Sequence, residues 1–197
     1  MFTSTPKEIT QKIRLLASRI APGETPLYVS VLPEPGALPN ECFQNTEVKA
    51  QRDAGSVVYG WQLWEWPRVL IEAEFHAVWR SPDGRLIDIT PRPNGEERIL
   101  FVTDQQRAYQ GISVDNVRIA LRDDLLVHHL ILLSERIFKT VNRGDLKDRF
   151  GRVSLPADEI EPLLYHQSLV SEMLKQGLRA HNDCICGSGK KYKRCHG

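Results

Sequence analysis

The sequence predicts an α+β fold, in which an antiparallel sheet packs against helices and a small metal-binding module follows at the C-terminus. Apolar residues recur at helical spacing near both ends of the body, and several β-rich segments lie between residues 57 and 103. Three of the four cysteines fall within the last fourteen residues and predict the module. The 197 residues suit an α+β domain over residues 1–180 and a tail over residues 181–197.

The composition is that of an ordinary globular protein, with 41% hydrophobic and 26% charged residues. The net charge of +1 gives no overall reason to expect a nucleic acid or a membrane surface as partner. No apolar run reaches the roughly 18 residues of a membrane span, and the stretch MFTSTPKEIT is too polar for a secretory signal. We therefore expect a cytoplasmic protein, in which clustered cysteines indicate metal binding or catalysis rather than disulfides.

The N-terminal segment carries the signals of a helix. Residues 5–8 match a capping box, which predicts Thr5 as the N-cap. The apolar stripe of this helix comprises Ile9, Ile13, Leu16 and Ile20. The helix is expected to end at residues 21–23, and a short strand over residues 27–32 and a proline-rich loop over residues 33–39 follow.

A second helix is predicted from about residue 41 to residue 55, with Asn40 as its N-cap. Four strands are predicted over residues 57–66, 69–79, 85–90 and 99–103, and two further helices over residues 123–141 and 157–176. The order helix, strand, helix, strands, helices is typical of an α+β domain.

The second and third of these strands form a hairpin whose register can be worked out from its turn. Residues 81–84 read Ser-Pro-Asp-Gly, which predicts a type I turn with a glycine bulge and places Ser81 opposite Arg85. In that register His76 and Asp88 share one face as diagonal neighbours, close enough for an imidazole and a carboxylate to meet. A slip of one residue would move Asp88 to the opposite face.

Cys42 falls in the first turn of the predicted second helix, where free N–H groups and the helix dipole stabilise a thiolate. A cysteine nucleophile needs a base, usually histidine, and a group that orients the base. His76 and Asp88 supply both types of side chain, so the three residues form a candidate catalytic set. Each of them taken singly is more often structural, as a buried cysteine is usually a small core residue.

Residues 38–91, and above all the stretch HAVWRSPDGRLIDITP, resemble the transglutaminase-like and papain-like cysteine enzymes. The resemblance implies that Cys42 is the nucleophile, His76 the base and Asp88 the orienting group of an enzyme acting on a peptide or protein. It also implies an oxyanion hole formed by the Cys42 backbone N–H and a second donor. The candidates for this donor are Asn45, Trp61 and Gln62.

The tail CICGSGKKYKRCHG carries four candidate metal ligands: Cys184, Cys186, Cys195 and His196. Thiolates and an imidazole at this spacing can close a tetrahedron around zinc, and residues 187–189 let the backbone reverse between them. So short a segment has no core of its own, and metal binding would supply its folding energy. His181, just upstream, is an alternative to His196 as the fourth ligand.

The same tail resembles the SEC-C motif, the zinc module that ends the SecA translocation ATPase and occurs in other bacterial proteins. Ile185 stands where the motif usually has proline, a position that does not bind the metal. The resemblance implies a zinc cofactor held by the four candidate ligands, and a role in protein interaction. The basic residues of the tail are Lys190, Lys191, Lys193 and Arg194. They predict an acidic protein partner or a phosphate group, with nucleic acid as a further alternative, or else a solvated loop.

The sequence therefore leaves two functions of different classes. In the first, a zinc-binding protein has a cysteine-dependent body that hydrolyses or transfers acyl or amide bonds. In the second, a non-catalytic interaction module docks a partner through its zinc-stabilised basic tail, and Cys42, His76 and Asp88 are structural. The reactivity of the Cys42 thiol distinguishes the two functions.

Overall fold

The computed structural model describes residues 3–92, 94–144 and 155–197. The chain divides into two compact units. The first contains the residues up to 66 together with 71–110, and the second contains residues 67–70 and those from 111 onwards.

The first unit contains two helices and five strands: α1 (Gln11–Ile20), β1 (Leu27–Val31), α2 (Cys42–Asp53), β2 (Ser56–Trp66), β3 (Leu70–Arg80), β4 (Leu86–Asp88) and β5 (Arg98–Thr103). The predicted segments are confirmed, apart from shifts of a few residues at their ends. The predicted capping box is wrong, because α1 begins at Gln11 and Thr10 accepts the capping hydrogen bond from the Ile13 N–H at 3.4 Å. The preceding chain is not helical because Ser4 exchanges two backbone hydrogen bonds with Glu65 of β2.

The five strands form a closed barrel in the order β2-β5-β1-β4-β3. The barrel is closed because β3 also pairs with β2. The pairs β1–β5, β2–β5 and β3–β4 are antiparallel, whereas β1–β4 is parallel. The predicted antiparallel sheet is therefore confirmed for the first three of these pairs and wrong for β1–β4. A closed ring with an odd number of strands cannot alternate direction throughout, so at least one neighbouring pair must be parallel.

The two faces of the strands have different partners. One face supplies an apolar cluster consisting of Val29, Val31, Val58, Val78, Ile99 and Phe101. On the other face Trp79, Ile87 and Ile89 form a second cluster, against which Ala50 of α2 packs. Side chains alternate along a strand, so His76 lies on the same face of β3 as Val78, opposite to Trp79. The packing of α2 on this wall places the start of the helix beside the barrel.

The second unit contains β6 (Val117–Ala120), α3 (Leu125–Val141), α4 (Ala157–Lys175) and α5 (Tyr192–Cys195). Both long helices were predicted from the sequence, and β6 was not. Asp124 caps α3 by accepting a hydrogen bond from the Leu126 N–H at 2.9 Å. The long helices bury apolar stripes that include Leu126, Leu130 and Leu133 of α3 and Leu169, Val170 and Met173 of α4. Among the residues described, no helix combines the length and the apolar character needed to cross a membrane.

Candidate functional site

The first unit brings Cys42, His76 and Asp88 together. The hairpin has the predicted register, with Trp79 opposite Ile87 and Arg80 opposite Leu86. This register places His76 Nε2 3.4 Å from Asp88 Oδ1. All three residues are buried, and Asp88 has no exposed surface.

Cys42 is the first residue of α2, as predicted, but the cap of the helix differs from the prediction. Glu41 holds the N-cap position and makes no capping hydrogen bond through its side chain. Asn40 instead adopts a left-handed backbone conformation with φ of 65°. The N-cap side chain therefore leaves the first-turn N–H groups of α2 uncovered, and the positive end of the helix is directed at Cys42.

Cys42 and His76 both line a cleft of about 390 Å³ in this unit. The other lining residues are Thr3, Asn40, Trp64, Glu74, Thr90, Pro91, Arg92, Asn94 and Glu96. Trp64 is fixed in the wall because its indole N–H donates to the Glu74 carboxylate at 2.8 Å. Asp88 does not line the cleft, so the carboxylate lies behind the imidazole.

Arg92 is a member of this group that the sequence analysis missed. Its Nε–H donates to Asp88 Oδ2 at 2.9 Å, and its NH2 group also contacts this oxygen. The same NH2 group lies 2.9 Å from His76 Nε2. The spacing of Asp88 and Arg92 by four residues could have suggested an ion pair, but only if the intervening Thr90-Pro91 turn had been recognised.

Burial and charge act in opposite directions on the two titrating partners. Burial lowers the pKa of His76, but the charges of Cys42 and Asp88 and hydrogen bonds to both outweigh it and raise the pKa to about 10. Burial raises the pKa of Asp88, but His76 and Arg92 more than compensate and lower it below its usual value. The surroundings thus favour an imidazolium beside a carboxylate, with the guanidinium of Arg92 acting against the positive charge on the ring.

Phe101 packs beside the imidazole of His76 on the barrel side. The ring of Phe101 meets the His76 ring edge to face, with centroids 6.4 Å apart. A Cβ atom at Gly60 would collide with the Val102 carbonyl oxygen and with the Phe101 ring. Glycine at this position therefore lets Phe101 occupy the space beside His76.

The three candidate oxyanion donors have different surroundings. The Asn45 amide donates to the Leu38 carbonyl at 2.8 Å and to Thr90 Oγ1 at 3.3 Å. The Trp61 indole N–H donates to Asp104 at 3.0 Å. Gln62 is fully buried, and neither atom of its amide has a hydrogen-bond partner in the part of the chain that the structure describes. Gln62 does not line the cleft. The side-chain N–H groups of Asn45 and Trp61 already donate to protein acceptors.

In the second unit the four predicted ligands lie together. One ligand atom from each of Cys184, Cys186, Cys195 and His196 falls within 4.8 Å of the others. The sulfur atoms of Cys186 and Cys195 are 3.5 Å apart. His196 Nε2 is buried without a hydrogen-bond partner among the described residues, as expected of an atom that binds a metal. His181, the alternative ligand, lies outside this cluster.

Short-range backbone contacts shape the cluster. The Cys184 N–H donates to the Lys190 carbonyl at 2.8 Å, and α5 then brings the last two ligands back. Gly187 and Gly189 have φ values of 82° and 68°, as their role in the chain reversal requires. Hydrogen bonding from Ser188 is the main cause that lowers the pKa of the Cys186 thiol, to about 5.

A buried tyrosine connects the cluster to the long helices. The hydroxyl of Tyr192 lies 2.7 Å from His129 Nδ1 on α3 and 2.9 Å from His166 Nε2 on α4. The His166 ring also packs against the ring of His196, with centroids 4.8 Å apart. Sequence reasoning found no partner for His166, because the contact depends on how the tail folds back onto both helices.

Comparison with known proteins agrees with the geometry of the second unit. The family model of the SEC-C motif matches residues 182–197. No solved structure matches the chain, and the comparisons give no support to the resemblance of the body to transglutaminase-like or papain-like enzymes. The chain thus carries a SEC-C motif at its C-terminus, with a Cys/His cluster able to hold a metal ion.

Proposed function

We propose that the protein is a cysteine-dependent enzyme that hydrolyses or transfers acyl or amide bonds of a peptide or protein, with a zinc module at its C-terminus. The observation that carries the proposal is the placement of a helix-start thiol and a buried imidazole in one cleft. A buried carboxylate lies 3.4 Å behind the imidazole. Thiol, imidazole and carboxylate in this order are the groups that nucleophilic acyl transfer uses.

The contacts of His76 assign a role to each ring nitrogen. Nε2 faces Asp88 and Arg92, which leaves Nδ1 to face Cys42. The Cys42 thiolate attacks the carbonyl carbon, and the Nδ1–H of the imidazolium protonates the leaving group. Water or an amine then attacks the thioester and gives its proton to Nδ1, which regenerates the thiolate when the acyl group leaves.

Arg92 regulates the charge of this centre. When Nε2 carries a proton it donates to Asp88, and when Nε2 is unprotonated it accepts from Arg92. The first arrangement leaves Nδ1 free to take a proton from the thiol. Arg92 also forms an ion pair with the buried Asp88 carboxylate. Without Arg92, the imidazole of His76 would be the one cation among the described residues that stabilises this buried negative charge.

Alkylation of Cys42 tests the proposal. The zinc-loaded protein is treated with iodoacetamide, and the modified cysteine is identified by mass spectrometry. We expect Cys42 to react first, and His76→Gln to slow its modification by roughly two orders of magnitude, the usual contribution of a positioned acid–base group. His128→Gln is the matched control, because that histidine pairs with Asp123 on an exposed face of α3. Equal rates in both variants would show that the thiol is structural.

Zinc fits the Cys/His cluster of the second unit. Three sulfurs and one imidazole are ligands that zinc prefers, and zinc–sulfur bonds of about 2.3 Å imply sulfur atoms roughly 3.8 Å apart in a tetrahedron. The 3.5 Å separation of Cys186 and Cys195 sulfurs is close to that value. With four protein ligands the site has no open position, so the ion's role is structural.

A second candidate function, docking of an acidic protein partner, rests on the surface of the tail. Lys190, Lys191, Lys193 and Arg194 are all exposed around the cluster. The carboxylate nearest to Lys191 Nζ, that of Asp183, is 3.9 Å away, so it neutralises little of this charge. Docking by the tail is compatible with either role of the first unit.

Four unpaired thiols also favour a reducing compartment such as the cytoplasm as the location.

A further inference from the structure

Arg122 in the second unit presents buried hydrogen-bond donors that none of the described residues uses. Its Nε and NH2 atoms are buried, and neither has a hydrogen-bond partner in the described ranges. These two nitrogens form one edge of the guanidinium, the edge that pairs with two oxygens of a carboxylate or phosphate. Buried donors of a charged group are costly to leave unpaired, so this edge of Arg122 is suited to bind an anion.

The nearest carboxylate does not satisfy this edge. Asp124 Oδ2 is 3.8 Å from Arg122 Nε, beyond hydrogen-bond distance. Both Asp124 oxygens already have partners, since Oδ1 accepts from the Leu126 N–H and Oδ2 accepts from Arg179 at 2.9 Å. Asp124 is therefore committed to capping α3 and to holding Arg179.

Positive charge exceeds negative charge around Arg122. Burial and the charges of Arg179 and Arg68 lower the pKa of Arg122, while Asp124 acts in the opposite sense. The Leu121 N–H donates to the Val69 carbonyl at 2.8 Å, which places Arg68 and Arg122 on neighbouring stretches of backbone. Arg122 and Arg179 both lie beside Asp124, whose one carboxylate balances only one of the three positive charges. A dianion matches this excess better than a single carboxylate does.

We propose that Arg122, Arg179 and Arg68 form a binding site for the phosphate group of a small molecule, either inorganic phosphate or a phosphomonoester. The phosphate accepts two hydrogen bonds from the Nε and NH2 edge of Arg122. Arg179 has a half-exposed side chain and Arg68 is exposed, so both can close over the ligand from the solvent side. None of the three arginines lines the cysteine cleft or belongs to the Cys/His cluster.

Titration with inorganic phosphate tests the site, with the arginine Nε–H resonances of the zinc-loaded protein followed by NMR. Sodium chloride at the same ionic strength is the reference. We expect phosphate to shift the Arg122 resonance, and Arg122→Gln to weaken binding by about tenfold or more. Arg136→Gln on the exposed face of α3 makes the same charge change and should bind as the wild type does. No phosphate-specific shift of Arg122, or equal binding by both variants, overturns the proposal.

Two further arms keep the result specific. Arg179→Gln changes a residue with 45% side-chain exposure, so it tests the site even when Arg122→Gln does not fold. We expect Arg179→Gln to weaken phosphate binding, and unchanged binding counts against the site.

Replacing Lys190 and Lys193 by glutamine should leave the affinity for phosphate unchanged. A loss of affinity would show that phosphate binds to the tail instead. Phosphoserine should compete with inorganic phosphate for the site. If an oligonucleotide binds and neither phosphate nor phosphoserine displaces it, the proposal is contradicted.

Discussion

The two cysteine sites of this protein are held together by different physical means. Cys42, His76 and Asp88 come from α2, β3 and β4, and the barrel, its apolar clusters and the Asp88–Arg92 ion pair fix their positions. The Cys/His cluster is gathered from one short segment at the end of the tail, where Tyr192 is the one large buried side chain. The first site is therefore a consequence of a folded core, whereas a metal ion is expected to supply much of the energy that folds the second.

Loss of the metal should have the largest effect, and it should be confined to the second unit. The purified protein is expected to contain about one zinc per chain, and Cys195→Ser is expected to contain none, as three ligands do not close a structural site. The lost metal-binding energy, about 10–16 kcal/mol in comparable zinc modules, unfolds the tail. Metal analysis and hydrogen exchange of residues 182–197 measure both effects.

The control for this prediction is Cys42→Ser, which should keep its zinc. Hydrogen exchange in strands β2 and β5 should be the same in both variants and in the wild type. Faster exchange there after metal loss would show that the barrel also depends on the ion, and the contrast between the two sites would fail.

Asp88→Asn should cause the next largest effect, this time in the first unit. The substitution leaves Arg92 nearly buried without its carboxylate and removes the partner of His76. Breaking a buried ion pair from one side costs about 3–5 kcal/mol. The free energy of unfolding in urea measures the loss, and Asp83→Asn in the exposed turn should change it far less. A loss of under about 1 kcal/mol for Asp88→Asn would mean that the ion pair does not hold the site.

Local spacing explains what could be predicted from the sequence. The metal ligands share one short segment, so their pattern alone indicates a cluster. The register of the β3–β4 hairpin follows from the Ser81–Gly84 turn, and with it the approach of His76 to Asp88. The helices follow from apolar periodicity, which indicates that one face of a helix is buried and does not depend on which element covers that face.

Long-range packing explains what could not be predicted. Closure of the barrel and the parallel pairing of β1 with β4 depend on all five strands at once. Arg92 joins the site because a proline-containing turn folds it back, and Tyr192 meets His129 only when the tail packs on α3. No local pattern carries this information, since each contact joins segments whose spacing in the chain is arbitrary.

Tyr192→Phe tests whether the hydrogen bonds of the Tyr192 hydroxyl contribute to stability independently of metal binding in the second unit. The variant keeps the buried ring but leaves the nitrogens of His129 and His166 without their hydroxyl partner. Both imidazoles are half-buried, so leaving their nitrogens unpaired should cost about 1 kcal/mol, the lower end of the range for buried groups. Thermal unfolding measures this cost, and the zinc content should stay unchanged. Loss of zinc in this variant would show that the network is part of the metal site, and His128→Gln serves as the surface control.

The last prediction concerns the pH dependence that His76 gives to the stability of the first unit. Its pKa is raised from 6.5 to about 10 in the folded protein, so the folded state binds more protons than the unfolded state between these values. The stabilisation is fully present below pH 6.5 and is lost as the pH rises through 10. The difference in unfolding free energy between wild type and His76→Gln should therefore decrease across this range.

Cys42→Ser identifies the source of this dependence. The charge interaction with Cys42 is the leading favourable cause of the raised pKa of His76, so replacing the sulfur should lower that pKa and flatten the loss of stability with pH. His181→Gln, at an exposed position of the tail, should leave the profile unchanged. A Cys42→Ser profile identical to that of the wild type would mean that sulfur and imidazole do not interact electrostatically. The proposed thiolate–imidazolium pair would then be wrong, and the metal cluster would be the one functional cysteine site of the two compared.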